Sequence, residues 1–364
     1  MHRCSYCDFF SLTGFNDDLF AALTDRICRE ITESADYLKE KQITFAALRS
    51  IFLGGGTPSL LPGARLRAIF EVLSRHYAFE KNVEITLEAN PETVNDTFCE
   101  DLRTLTPVNR ISLGVQSFDL ENLKKLERLA NPLHVYSAIK RLTANGFTNF
   151  NMDLIFGIPG QGRKGLLEDL KKTVDHGPKH ISFYNLTLKP GHPLFKKLPS
   201  DDECAELYEC GIDFLNGAGF LQYEISNFSI PGFESRHNLL YWDGGDFLGI
   251  GPSAASRFFW NGRFFHRKQY SDLDKYFTCP TFPAPGLEET TWNQTVLEAT
   301  FLELRKNSGL HEQDFYRRYG YEFTQAPKFE SFLKEGLIER KDSHLILTPR
   351  GRLLADMVTR ELAP

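Results

Sequence analysis

Cys4-Ser5-Tyr6-Cys7 places two thiols three residues apart, followed by Asp8 and Phe9. A loop this short can turn both sulfurs toward one centre, so the pair can share a metal ion or an iron–sulfur cluster. The spacing by itself also fits two ordinary thiols. A second chemical feature is Gly54-Gly55-Gly56-Thr57. Glycines let a ligand approach the backbone and offer N–H groups to its anionic end. The same run, with Pro58 behind it, reads as a tight strand-to-helix turn, and both readings can hold together. Asp153 stands among apolar Met152, Leu154 and Ile155. A carboxylate in a buried strand needs a partner.

The elements that must position these residues alternate along the chain. Strands are expected at Ser50–Leu53, Val83–Leu87, Arg110–Val115, Asn151–Ile155 and His180–Leu186. The stretches between them, such as Asp119–Asn145 and Lys164–His176, are long enough for crossover helices. Near-continuous apolar strands separated by helices indicate a parallel sheet buried on both faces. Several of these strands run into polar or glycine residues, among them Gly54–Thr57, Glu88-Ala89-Asn90-Pro91, Gln116-Ser117 and Gly157-Ile158-Pro159-Gly160. In parallel α/β folds the ligand site lies at the carboxyl ends of the strands. Residues 200–270 change character, 277–286 is rich in Pro and Thr and reads as a linker, and 288–364 is mostly helical in pattern. Helix, short hairpin, turn and helix near the C-terminus suggest a small winged-helix-like module, read as a packing or partner module. The domain boundaries expected are 1–195, 196–280 and 281–364.

The composition is that of a globular protein, with 364 residues, 41% hydrophobic and 25% charged, and a net charge of −6. An acidic balance does not favour a nucleic-acid partner. No leader-like apolar region and no apolar run of about 20 residues is present. Five of the seven cysteines are scattered, which fits reduced thiols in a cytoplasmic protein.

Nine strings in order carry a specific resemblance: CSYCDFFS (4–11), FLGGGTPSLL (52–61), ITLEANPET (85–93), NRISLGVQSF (109–118), NMDLIFGIPGQ (151–161), HISFYNLT (180–187), YEISNF (223–228), HNLLYW (237–242) and LGIGPSAAS (248–256). The chain resembles the radical-SAM haem chaperones, close relatives of the oxygen-independent coproporphyrinogen III dehydrogenases. The resemblance implies a partial (β/α)6 barrel with an α+β accessory region, a [4Fe–4S] cluster, S-adenosylmethionine and haem. Cys4 and Cys7 would be cluster ligands. Gly55, Gly56, Thr57, Glu88, Gln116, Arg128 and Asp153 would line the S-adenosylmethionine site, with Glu88 placed for a ribose hydroxyl or ammonium group. His237 would ligate haem iron, with Tyr241 and Trp242 against the porphyrin.

The family pattern is C-x3-C-x2-C, and its first cysteine would stand at position zero. A start assigned too far downstream, which would also omit the first barrel strand, is the expectation; a genuine short form is the alternative, with Met1 a poor substitute ligand. The coproporphyrinogen dehydrogenases carry a fourth cysteine where this chain has Phe9. Other departures are Glu127 for a usual glycine, Ala130 for a usual histidine and Lys189 for a usual acidic residue. Phe9 and HNLLYW favour haem delivery to cytochromes or respiratory enzymes. Oxidative decarboxylation of coproporphyrinogen III is the alternative, and a barrel kept for structure alone is a third reading. A homodimer, or peripheral membrane association through partners, would be compatible with the first.

Overall fold

The computed structural model describes residues 4–7, 10–11, 14, 16–280 and 282–364. Met1 and Phe9, on which two of the expectations rest, lie outside them. Five parallel strands form the heart of the fold: β1 (Leu48–Leu53), β2 (Phe79–Ala89), β3 (Arg110–Gln116), β4 (Phe150–Phe156) and β5 (His180–Asn185). Two short strands extend the sheet, β6 (Leu221–Glu224) and β7 (Asn227–Ser229), giving the order β1-β2-β3-β4-β5-β7-β6 with β7 antiparallel to β5. The curled sheet is a half-barrel. It therefore draws in residues 221–229, beyond the boundary expected at 195.

The central strands β3 and β4 are buried on both faces while the edge strand β1 is only half-buried, and only one face of the sheet is apolar. Ile85, Leu87, Ile111, Leu113, Met152, Leu154, Ile181 and Phe183 alternate outward and pack under the helices. Those helices are α2 (Gly63–His76), α3 (Asp96–Leu105), α5 (Pro132–Ala144), α6 (Gly162–Asp175) and α7 (Asp201–Gly217); the short α4 (Leu120–Lys125) follows β3, and α1 (Asp17–Glu40) precedes β1 and packs on α2. The residues between the outward ones face the concave side: Glu84, Thr86, Glu88, Arg110, Ser112, Asn151, Asp153, His180 and Ser182. The lumen is thus polar, which the apolar look of the strands concealed.

Beyond the half-barrel come α8 (Arg236–Trp242), the antiparallel strands β8 (Ala255–Trp260) and β9 (Arg263–Lys268), α9 (Leu273–Thr278) and β10 (Glu288–Glu289). The C-terminal module has its own core around Val296, Phe315, Phe329, Leu345 and Val358. It contains α10 (Trp292–Leu304), β11 (Leu310–His311), α11 (Glu312–Tyr319), α12 (Phe329–Lys334), the hairpin β12 (Ile338–Lys341) and β13 (His344–Leu347), and α13 (Pro349–Leu353) and α14 (Ala355–Leu362). The hairpin turns through Asp342 and Ser343, both with positive φ, the geometry a tight hairpin requires.

One fully buried carboxylate ties α1 to the accessory sheet. Glu30 accepts hydrogen bonds from Arg267 Nη2 (2.7 Å), Gln269 Nε2 (2.8 Å), the Gly251 N–H (2.9 Å) and the Tyr276 hydroxyl (3.0 Å). The glycine-rich LGIGPSAAS string serves this junction. A Cβ at Gly249 would strike the backbone of Ala255, so only glycine lets the two chain segments cross.

Candidate functional site

The thiol pair sits on a turn closed by a hydrogen bond from the Cys7 N–H to the Cys4 carbonyl at 3.1 Å. Both thiols are half-buried and free of disulfides. Tyr6, between them, packs against Leu126, Ile155, Ile158, Leu186 and Leu188, which anchors the turn over the carboxyl ends of the strands. Arg128 follows α4 and is not a solvated helix charge. Its Nη2 donates to Asn90 Oδ1 and to the Gly114 carbonyl, both at 2.8 Å, and its Nη1 lies 4.0 Å from Cys4 Sγ. Burial pushes the Cys4 thiol up, and Arg128 opposes that push. Glu127, which also faces Cys4 through its carbonyl (3.6 Å), has φ 52°, so the glycine usual at this position answers a real backbone demand. Ala130, where the family carries histidine, is buried.

The glycine run forms a cradle. A Cβ at Gly54 would meet the Phe52 ring at 2.6 Å and the Glu88 carboxylate at 2.9 Å, and Gly55 has φ +105° with open space above it. The Gly55 N–H donates to Glu88 Oε2 at 3.0 Å. Thr57 Oγ1 accepts from Asn90 Nδ2 at 3.2 Å. Asn90 therefore joins the cradle to Arg128, a role the sequence reading missed although Asn90 lies within one of the quoted strings. Burial, with the charge of Asp153 added, pushes the Glu88 carboxyl up to about 7, while the Gly55 N–H opposes the rise.

Gln116 ends β3 at a register shift and has φ 68°, an unusual conformation for a non-glycine residue. Asp169 on α6 holds the bend that follows. Its carboxylate accepts from Ser117 Oγ at 2.6 Å and from the Phe118 N–H at 2.7 Å. Asp153 finds the partners its burial demands: Asn151 Nδ2 at 2.7 Å and Ser112 Oγ at 3.3 Å. Burial still pushes its carboxyl up. Cys4, Arg128, Gly55–Thr57, Glu88, Gln116 and Asp153 thus converge at the carboxyl ends of β1 to β4 and in the lumen directly beneath.

His237 lies elsewhere on the same half-barrel. Glu84 caps α8, accepting from the N–H groups of Arg236 (3.1 Å) and His237 (3.0 Å). The cap places the imidazole on β1. Its Nδ1 is 3.0 Å from Ser50 Oγ, and its ring stacks on Phe52 at 4.7 Å. Tyr241 stands edge-on to His237 at 4.8 Å. Burial, with the Arg110 charge added, lowers the His237 pKa to about 4. Trp242 has a packing role of its own: the Arg305 guanidinium lies over its ring at 4.8 Å, which locks α8 to α10.

The donor types match the groups expected. Two soft thiols on one turn suit iron–sulfur ligation. Beside them, a glycine turn with open space above it, a buried arginine and carboxylates suit a zwitterionic nucleoside ligand. This half-barrel and site define a radical-SAM protein. Residues 1–173 match the model of the Radical SAM superfamily, and residues 293–354 match the HemN C-terminal domain. The heme chaperone HemW of Mycobacterium tuberculosis is 33% identical over 99% of the chain and 91% of that relative. HemW of Bacillus subtilis is 32% identical over 98% and 95%, and HemW of Escherichia coli 36% identical over 71% and 67%. A solved structure of coproporphyrinogen III oxidase (HemN) from Escherichia coli, described as a Radical SAM enzyme, superposes with a TM-score of 0.81, covering 99% of this chain and 86% of that one at 21% identity, and so agrees in fold. The chain belongs to the HemW family of radical-SAM haem chaperones.

Proposed function

We propose that this chain binds haem on His237 and passes it to haem proteins such as cytochromes or respiratory enzymes, working in the cytoplasm. Cys4 and Cys7 would hold irons of a [4Fe–4S] cluster, and Gly55, Gly56, Thr57, Glu88, Gln116, Arg128 and Asp153 would hold S-adenosylmethionine. Together these groups supply one-electron chemistry when bound. The glycine turn would take the methionyl end of S-adenosylmethionine, and Glu88, whose carboxylate also takes the Gly55 N–H, a hydroxyl or ammonium group.

The observation that carries the haem assignment is the setting of His237. Its Nδ1 is within hydrogen-bond distance of Ser50 Oγ and burial holds the ring neutral, so with the proton on Nδ1 the Nε2 lone pair would serve as the iron ligand. Phe52 stacks on this imidazole and also lies against Gly54 of the cradle, so one side chain separates the two sites. Haem titration into the reconstituted chain is expected to give a Soret band that weakens strongly in His237→Ala. Absence of a band, or a band indifferent to the substitution, sinks the reading. Anaerobic incubation with coproporphyrinogen III and S-adenosylmethionine is expected to yield no protoporphyrinogen.

A further inference from the structure

Arg110 opens β3 on the concave face and is only 2% exposed. A guanidinium carries several N–H donors. Among the described residues it makes one long hydrogen bond, from Nη1 to Thr86 Oγ1 at 3.4 Å, and its Nε is buried without a partner. Asp153 offsets its charge at a distance, but the carboxylates nearby spend their hydrogen bonds elsewhere. Asp153 takes Asn151 and Ser112, and Glu84 caps α8. A buried cation with unmet donors is costly unless an anion completes it.

Position selects the anion. Arg110 is at the start of β3, whereas Gln116 is at its end, roughly 20 Å along a strand of this length. The S-adenosylmethionine cradle already has Arg128 at the far end. On the near side, Arg110 pairs across the sheet with Thr86, whose other neighbour in register is Phe52, the residue stacked on His237. The charge of Arg110 reaches the imidazoles of His180 and His237, adding to the burial that keeps both neutral.

We propose that Arg110, with Thr86, forms a carboxylate subsite in the lumen that takes a propionate of the porphyrin whose iron His237 ligates. The inference rests on the haem reading and adds an anchor remote from the iron. A carboxylate here would accept the unmet guanidinium donors as a charge-assisted pair. Arg110 would then set the orientation of the porphyrin and discriminate against uncharged analogues.

The test compares haem with haem dimethyl ester, whose carboxylates are blocked, by Soret titration of the reconstituted chain and of Arg110→Met. The unaltered chain is expected to prefer haem by on the order of tenfold or more, and Arg110→Met to lose that preference while still binding the ester as the unaltered chain does. Arg110→Lys keeps the charge without the planar fork and should retain part of the preference, which separates recognition from a folding defect. Equal affinity of the unaltered chain for both porphyrins removes the subsite alone. An Arg110→Met chain that keeps its preference for haem but loses affinity for S-adenosylmethionine gives the subsite to that ligand's carboxylate and overturns the porphyrin assignment. No Soret band with either porphyrin in the unaltered chain removes the haem reading and the subsite with it.

Discussion

Ser50 Oγ lies 3.0 Å from Nδ1 of His237, joining β1 to α8 across 187 residues of sequence. A neutral imidazole carries one N–H. If Nδ1–H donates to the Ser50 hydroxyl, Nε2 presents a lone pair, which is the tautomer a metal requires. Ser50 is then a positioning residue for the haem ligand. Ser50→Ala is expected to weaken haem binding by roughly 10–100-fold, the usual cost of removing such a partner, and to change the iron–histidine vibration in resonance Raman spectra. Ser50→Thr keeps the hydroxyl and should restore both. An unchanged vibration in Ser50→Ala would show that the hydroxyl leaves the tautomer unset.

Glu88 should make stability depend on pH in a direction opposite to an ordinary paired carboxylate. Its pKa in the folded chain is raised to about 7, mainly by burial and then by Asp153. Folding therefore favours the protonated form. That contribution is fully present below the unfolded value near 4.5 and is lost as pH rises through 7. Glu88→Gln stays neutral throughout, so its stability relative to the unaltered chain should rise between pH 4.5 and 8. Urea unfolding at several pH values measures this. A stability difference that stays flat over the range would contradict the raised value.

The positions of β1 to β5 were readable within a few residues, because five apolar runs alternate with helix-length segments. The cradle was readable as well, since glycine and polar residues follow those runs. What the sequence did not show is pairing at a distance. Glu30 meets Gly251 and Arg267 more than two hundred residues later, and nothing local marks it within α1. The polar lumen was hidden because single residues such as Thr86, Ser112 and Ser182 look like interruptions in apolar strands. Only the curl of the sheet brings them onto one inner face. The Trp242 ring takes the cation of Arg305, the residue that caps α10, another pairing that no local pattern marks.

Asp169 supports the Gln116 end of β3 from α6. Its carboxylate accepts from Ser117 Oγ and the Phe118 N–H in a buried setting. Asp169→Asn replaces one acceptor oxygen by an amide that faces a donor. A loss of about 1–3 kcal/mol is expected from the unsatisfied groups, measurable by chemical denaturation. Because Gln116 is held at positive φ beside this bend, S-adenosylmethionine affinity should fall as well. Asp169→Ala, which creates no facing donors, should affect affinity similarly. Intact affinity in both variants would confine Asp169 to a role in stability.

Glu30 tests whether the accessory region is fixed to the half-barrel through one buried ion pair. Its carboxylate is completely buried, and the Arg267 side chain opposite it is equally so. Removing one partner leaves the other charged and unpaired, which typically costs about 3–5 kcal/mol. Glu30→Gln should therefore destabilise the chain by that order. The effect should appear first as faster amide exchange in the 248–254 loop and in β9, ahead of β3 and β4, which lie in a separate core. Arg267→Met alone would leave Glu30 charged and should be equally damaging. Glu30→Leu combined with Arg267→Met removes both charges at similar volume and should recover much of the loss. If the double variant is no better than either single one, the Gly251, Gln269 and Tyr276 hydrogen bonds, rather than the ion pair, hold the junction.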